Sequence, residues 1–163
     1  MLDIGDHAPE FTLPAHDGAE VSLTTLLNRG PLLLYFYAAD FAATCQLQAR
    51  HIARIHPELQ RHGLVIAGVS PQSPASHARF RSRLELPQLL LADEHKAVIH
   101  MYDVAGQLGL LVRRVTYLID PGRIIRGVQL ADFRIAAHVD FMLDARPLLD
   151  AIAVEMRRCA EAA

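Results

Sequence analysis

Cysteine is scarce in this sequence, which contains only Cys45 and Cys159 among its 163 residues. Two thiols so far apart cannot form the disulfide framework of a small secreted domain, and they lack the spacing of a zinc ribbon. The nine histidines never stand two or four residues apart, the spacings that place two metal ligands on one face of an element. We therefore predict no metal site and no cofactor, and we expect any cysteine chemistry to be that of single thiols.

The sequence also lacks an excess of charge of either sign, with 16 Lys and Arg against 18 Asp and Glu and a formal charge of −2. Without a basic surplus we expect neither nucleic acid nor anionic lipid as a partner. The longest apolar run, Pro31 to Ala39, is too short to cross a bilayer, and the first residues have neither the basic start nor the apolar stretch of a signal peptide. These absences predict a cytoplasmic protein that makes no membrane contact.

No repeat, linker, charge block or low-complexity tract divides the sequence. A chain of 163 residues that is 52% hydrophobic can bury one ordinary core without disulfides or metal. We predict one domain over residues 1–163, in which residues from about 147 to 163 form a C-terminal helical extension.

Strand and helix signals alternate along the chain, and this alternation predicts an α/β fold with a central mixed sheet flanked by helices. Two short strands around Asp17 and Gly18, within residues 11–23, predict an N-terminal hairpin. The apolar runs Leu32–Tyr37 and Leu64–Val69 are typical of central strands covered on both faces, and the right-handed crossover rule makes them parallel. The other predicted elements are helices over 45–62, 74–84 and 94–102 and strands over 89–91, 114–120 and 124–130.

The C-terminal part, from Ile135 to Arg157, has a helical pattern that contains Pro147. Because proline lacks an N–H and clashes with the preceding turn, we predict two helical segments divided near Arg146. The second segment carries four apolar residues that could form a dimer contact or pack on their own domain, so both a monomer and a homodimer stay open. They are Leu148, Leu149, Ile152 and Val154.

Cys45 stands where the first central strand has ended and an amphipathic helix begins. Unpaired backbone N–H groups and the helix dipole stabilise a thiolate at such a place, and the thiolate is the form that attacks peroxides and disulfides. Either Asp40 or Thr44 is a candidate N-cap for this helix. Cys45 also falls on the apolar stripe of the helix with Ala49 and Ile52, so a buried structural cysteine is an equally open interpretation.

Four blocks of the sequence, Gly5–Pro14, Tyr35–Tyr37, Gly68–Phe80 and Thr116–Gly122, resemble the Q-type peroxiredoxins, also called bacterioferritin comigratory proteins. The blocks stand in the order of that family and cover most of residues 3–145. The resemblance implies a thioredoxin-like fold with an added N-terminal hairpin. It also implies a thiol-dependent peroxidase that reduces hydrogen peroxide or organic hydroperoxides.

The resemblance places the peroxide-reacting thiol at Cys45 and the arginine that lies near it at Arg114. The thiolate would attack the distal oxygen of the hydroperoxide, and the guanidinium would stabilise the thiolate and polarise the bound peroxide.

The sequence departs from the family inside this site. The family pattern is Pro, three residues, Thr or Ser, two residues and Cys, but Ala38 and Ala42 hold its first two positions, and Gln48 stands where the family has glutamate. A methyl group cannot donate the hydrogen bond that orients a peroxide, and the loss of one such donor costs on the order of a hundredfold in rate. A slow peroxidase is therefore as plausible as an efficient one.

The predicted substrate pocket consists of these three residues and Tyr37. For the tyrosine a second interpretation is open, in which Tyr35 and Tyr37 are both core aromatics. We expect the two rings on opposite sides of the sheet.

The family's resolving cysteine, five residues after the reacting one, is replaced by Arg50. We therefore expect a one-cysteine cycle in which an external thiol of the thioredoxin, glutaredoxin or glutathione type reduces Cys45, with Cys159 as a possible resolving thiol. A non-enzymatic redoxin that senses redox state or binds a protein is the alternative function. Disulfide exchange of C-x-x-C type is disfavoured, because Gln48 holds the second cysteine position.

Overall fold

The computed structural model describes residues 1–106, 109 and 111–161, without the side chains at several positions of the last helix, Cys159 among them. The strands are β1 (Thr12–Pro14), β2 (Glu20–Ser22), β3 (Leu32–Phe36), β4 (Val65–Ser70), β5 (Leu89–Ala92), β6 (Val115–Ile119) and β7 (Ile125–Leu130). The helices are α1 (Leu23–Leu27), α2 (Ala43–Arg61), α3 (Pro74–Leu84), α4 (Ala97–Met101) and α5 (Ile135–Glu161). Within this part of the chain no helix is both long and apolar enough to span a membrane.

The main sheet has the strand order β5-β4-β3-β6-β7. Strands β3, β4 and β5 are parallel, whereas β6 is antiparallel to both β3 and β7. Every residue of β3 is buried, as its continuous apolar sequence requires of a strand covered on both faces. The predicted mixed sheet with parallel central strands is confirmed.

Alternate residues of β3 enter two separate hydrophobic layers. Leu32, Leu34 and Phe36 pack on the side of α1, α4 and the hairpin. Leu33 and Tyr35 pack on the opposite side, with the buried faces of α2, α3 and α5. The sheet is therefore the middle of three layers, and α2, which carries Cys45, lies on the second side.

The predicted N-terminal hairpin is confirmed, since β1 pairs with β2 in antiparallel register. Gly18 has φ +84° in its turn, a conformation that glycine adopts without a side-chain penalty. A bridge between Ala15 and Leu91 attaches the hairpin to the edge of the main sheet at β5.

Several helix boundaries were predicted well and others were not. Helix α3 begins at Pro74, whose missing N–H is not needed in a first turn, after Ser73 caps the amide of Ser76. Helix α4 is shorter than predicted, because Lys96 has φ +56° and ends the preceding turn.

The predicted division of the C-terminal helix near Arg146 is wrong, because α5 continues from Ile135 to Glu161 with Pro147 inside it. A proline removes one N–H from the ladder of a helix, but the other turns keep their bonds, and the buried residues Met142 and Ala145 fix the turn that precedes it. Pro57 lies inside α2 in the same way.

The apolar residues of the predicted extension do not decide between a dimer contact and packing on the same domain. Val154 is 44% exposed. The side chains of Leu148, Leu149 and Ile152 lie outside the described part of the structure.

We expect Pro57→Ala to raise the free energy of unfolding by about 1–3 kcal/mol, because proline in a helix interior costs about 3 kcal/mol relative to alanine. Part of this gain is lost, since proline also restricts the unfolded chain and alanine does not. Pro74→Ala, at the first position of α3, is the matched control and should bring no gain. Urea unfolding followed by circular dichroism measures both variants. Equal shifts in the two would contradict this account.

Candidate active site

Cys45 lies in the first turn of α2, as predicted, but the helix begins at Ala43, two residues before the expected start. The N-cap is therefore Ala42, which offers no side-chain hydrogen bond, and the prediction that Asp40 or Thr44 caps the helix is wrong. The thiol is also 2% exposed and belongs to the hydrophobic layer beneath α2. Cys45 is therefore both a thiol at a helix N-terminus and a buried core residue, so the two interpretations of its position hold together.

Arg114 is the residue immediately before β6, and its side chain contacts Cys45. Its Nη2 donates to Cys45 Sγ at 3.2 Å and to Thr44 Oγ1 at 3.0 Å. Its Nη1 donates to the carbonyl oxygen of Asp132, and its backbone N–H donates to Asp132 Oδ1 at 2.8 Å. The arginine is 7% exposed, so a charged donor meets the sulfur in an environment where water screens little.

His138 lies close to this arginine without adding a second positive charge. Burial lowers the pKa of His138, and the charge of Arg114 lowers it further. Its Nε2 faces the carbonyl oxygen of Ala131 at 2.9 Å and its Nδ1 faces Thr116 Oγ1 at 2.9 Å. A neutral ring with its proton on Nε2 satisfies both contacts, with the threonine hydroxyl as donor to Nδ1. Arg114 is thus the cation that acts on the thiol.

The predicted pocket residues differ in burial and in their partners. Ala38 and Ala42 are half-buried in the segment of residues 37–42 that joins β3 to α2, here named the thiol loop. Gln48, one turn after the cysteine, is 1% exposed, and within the described residues neither atom of its amide has a hydrogen-bond partner. A buried amide without a partner is uncommon, and it marks Gln48 as a polar group that the surrounding protein does not satisfy.

Tyr37 is a core aromatic whose hydroxyl donates to Asp40 Oδ1 at 2.8 Å. Its ring stacks on Tyr35 with 5.7 Å between centroids and on Phe80 with 6.3 Å. The expectation that the two tyrosines face opposite sides of the sheet is wrong, because residues two apart along a strand project to the same face. Burial raises the pKa of Tyr37 well above its usual range, which keeps the hydroxyl protonated.

Asp40 is the centre of a buried polar group that sequence reasoning missed, here named the Asp40 cluster and made of Tyr37, Asp40, Ser76 and His77. Ser76 donates to Asp40 Oδ2 at 2.7 Å, and His77 Nδ1 lies 2.9 Å from the same oxygen. On its other side, His77 Nε2 lies 3.1 Å from the carbonyl oxygen of Leu91 in β5. The cluster therefore ties the thiol loop to α3 and to the sheet.

Both ring nitrogens of His77 face acceptors, a carboxylate on one side and a carbonyl on the other. A neutral ring has one N–H and satisfies only one of these contacts, whereas a doubly protonated ring satisfies both. Burial acts to raise the pKa of Asp40, but the hydrogen bond and charge of His77, with hydrogen bonds from Ser76 and Tyr37, lower it overall. The arrangement is that of a buried ion pair.

The helical periodicity of α3 indicates that His77 is buried. It stands three residues before Phe80, so both fall on the buried face of α3. His56 and His138 are buried as well. The backbone of Asp132, which holds Arg114, carried no comparable signal.

The side chain of Cys159 lies outside the described part of the structure. Its suggested role as a resolving thiol therefore stays a prediction.

A sequence model of the AhpC/TSA family matches residues 4–128 of the chain. A peroxiredoxin bcp of Helicobacter pylori is 38% identical over 106 residues, which are 65% of this chain and 69% of the relative. The chloroplastic peroxiredoxin Q of Gentiana triflora is 32% identical over 137 residues, which are 83% of this chain and 63% of the relative. The chain thus spans less than two thirds of the plant relative.

The solved structure of peroxidoxin BcpB from Mycobacterium tuberculosis superposes with a TM-score of 0.85 at 29% identity, over 91% of this chain and 98% of that one. AhpC from Enterococcus faecalis has a TM-score of 0.83 at 18% identity, over 94% and 95% of the two chains, and supports the fold alone. The predicted thioredoxin-like fold is confirmed. The matches in sequence and in structure agree, and the chain belongs to the AhpC/TSA family of peroxiredoxins.

Proposed function

We propose that the chain is a thiol peroxidase of one-cysteine type, in which the Cys45 thiolate reduces a hydroperoxide and an external thiol regenerates it. The observation that carries this proposal is the contact of 3.2 Å between Arg114 Nη2 and Cys45 Sγ in the first turn of α2. A guanidinium and the amide groups of a helix N-terminus both stabilise negative charge on sulfur.

In the first half of the cycle, the thiolate attacks the distal oxygen of the peroxide, so that an S–O bond forms and the O–O bond breaks. The leaving oxygen takes a proton and departs as water or an alcohol, and Cys45 becomes a sulfenic acid. Arg114 stabilises the charge that develops on the leaving oxygen, because Nη2 lies within hydrogen-bond distance of both the sulfur and Thr44 Oγ1.

The missing hydroxyl at position 42 leaves two nearby groups to orient the peroxide. Thr44 Oγ1 lies 3.0 Å from the same Arg114 nitrogen that contacts the sulfur. The amide of Gln48 is buried one turn after Cys45, without a partner among the described residues. We assign peroxide binding to these two side chains and to Arg114.

In the second half of the cycle, the thiolate of the reductant attacks the sulfur of the sulfenic acid, which releases water and leaves a mixed disulfide. A second thiol of the reductant then breaks that disulfide and restores Cys45. The proposal of an external reductant rests on Arg50, which occupies the position where many relatives of this type carry a cysteine.

A redoxin without peroxidase activity is the second candidate. The burial of Cys45 favours it, because a sulfur that is 2% exposed has little room for a substrate in this conformation. The contact with Arg114 favours the peroxidase.

Arg114→Lys should lower the second-order rate of Cys45 oxidation by hydrogen peroxide about 10²-fold, because an ammonium cannot contact sulfur, Thr44 and Asp132 together. The rate is followed by mass spectrometry on the peptide that contains Cys45, with Cys45→Ser as the blank. Arg123→Lys is the matched control, since Arg123 binds the carbonyl of Ala8 far from the thiol. Equal rates for the wild type, Arg114→Lys and Arg123→Lys would rule out the assigned role of Arg114. A wild-type rate no higher than that of a free thiol would favour the redoxin.

Ala42→Thr should raise the oxidation rate about tenfold, since it restores one oriented hydroxyl beside the thiolate. Ala43→Thr, at the exposed neighbouring position, should leave the rate unchanged. The same assay compares both variants with the wild type. An increase in both would point to a general loosening of the helix start instead of a new hydrogen bond.

Cys159→Ser should turn over with a small dithiol within about twofold of the wild-type rate if the cycle uses one cysteine. Mass spectrometry of the non-reduced, peroxide-treated wild type should then find no Cys45–Cys159 disulfide. Detection of that disulfide, together with slower turnover of the variant, would assign the resolving role to Cys159.

A further inference from the structure

We propose that Asp40 and His77 are positioning residues whose buried pair holds the thiol loop on α3 and so keeps Cys45 in place beside Arg114. This role rests on the proposed function for its effect on peroxide. Its effect on the accessibility of the thiol does not depend on that function.

The side chain of Asp40 is held by one residue at the start of the thiol loop and by two residues of α3. Its two carboxylate oxygens receive hydrogen bonds from Tyr37 at 2.8 Å, Ser76 at 2.7 Å and His77 at 2.9 Å. His77 in turn contacts the carbonyl of Leu91 at 3.1 Å. The start of the thiol loop and α3 thus contact the carboxylate directly, and β5 supports it through His77.

The backbone of Asp40 is fixed as well. Its N–H donates to Gln72 Oε1 at 3.2 Å, and the same oxygen accepts from the hydroxyl of Ser70 at the end of β4, at 2.7 Å. Its carbonyl accepts from the N–H of Ala42, the N-cap of α2, at 2.8 Å. The position of Asp40 therefore sets the point at which α2, and with it Cys45, begins.

The next residue shows that the loop needs such an anchor. Phe41 has φ +61°, a left-handed conformation that is unfavourable for a bulky residue. Its ring packs edge-on against Phe80 of α3 with 5.3 Å between centroids, and its carbonyl accepts from Gln46 Nε2 at 2.7 Å. A strained residue persists only where its surroundings fix it, and the neighbouring Asp40 contributes the charged part of that attachment.

The pair is well suited to hold the loop because both partners are almost fully buried, with 0% and 1% of the two side chains exposed. If either partner is removed, the other remains as an uncompensated buried charge, which the protein relieves by opening the loop to water. An open loop exposes the sulfur and separates it from Arg114. Loss of the pair should therefore change two reactions of Cys45 in opposite directions.

Two rates on the Cys45 peptide test the proposal in the full-length protein, alkylation by iodoacetamide and oxidation by hydrogen peroxide. In Asp40→Asn and His77→Gln we expect alkylation to be at least about tenfold faster and oxidation at least about tenfold slower, as the open loop becomes populated. His77→Asn also removes the positive charge, but its amide nitrogen replaces Nδ1 and keeps one hydrogen bond to Asp40. It should therefore open the loop less than His77→Gln, whose amide nitrogen replaces Nε2 and donates to Leu91.

The control for general destabilisation is Tyr102→Phe, which removes a hydrogen bond to the carbonyl of Pro9 on the other side of the sheet. It should change neither rate. Alkylation of Asp40→Asn and His77→Gln within twofold of the wild type would overturn the proposal, and so would oxidation that rises together with alkylation. If the wild type reacts with peroxide no faster than a free thiol, the proposed peroxidase fails, and alkylation alone then decides whether the pair holds the loop.

Discussion

The antiparallel pairing of β3 with β6 is the constraint on which the site depends. Phe36 and Val115 are opposite each other in this register, so the thiol loop leaves the sheet beside the residue that precedes β6. That residue is Arg114, which is 69 positions from Cys45 in the sequence. A shift of one residue in this register would turn Arg114 to the other face of the sheet. The geometry of the thiol is thus fixed by the ladder of the sheet before any side chain of the site is considered.

The charges around the thiol loop are arranged in two groups that do not cancel each other. His77 compensates Asp40 within hydrogen-bond distance, so the two opposite charges largely offset each other. The guanidinium of Arg114 contacts neutral partners besides the sulfur, a hydroxyl and a carbonyl oxygen, while the carboxylate of Asp132 accepts from the backbone N–H of Arg114. The charge of the guanidinium is left to act on Cys45. His138 beside it stays neutral because burial lowers its pKa. One group therefore anchors the loop and the other acts on the thiol.

Much of the fold could be predicted from the sequence, because apolar runs and turn residues report on local structure. Pro74 and Gly18 marked a helix start and a turn correctly. The start of α2 was misplaced, since Asp40 and Thr44 have the side chains of N-cap residues and the true N-cap, Ala42, has no polar side chain. Pro147 was given too much weight as a helix breaker. The Asp40 cluster escaped prediction because its members come from distant segments, and only the folded sheet brings a carboxylate, a histidine and a tyrosine together.

The burial of Cys45 separates the two substrates of the proposed cycle by size. Hydrogen peroxide has only two heavy atoms, so a small displacement of the thiol loop is enough to admit it to a sulfur that is 2% exposed. A thiol carried by a protein needs a far larger opening, because its own backbone must approach the sulfur. The two half-reactions therefore require different conformations of the same segment. Once oxidant is plentiful, the opening rate of that segment sets the upper limit of turnover.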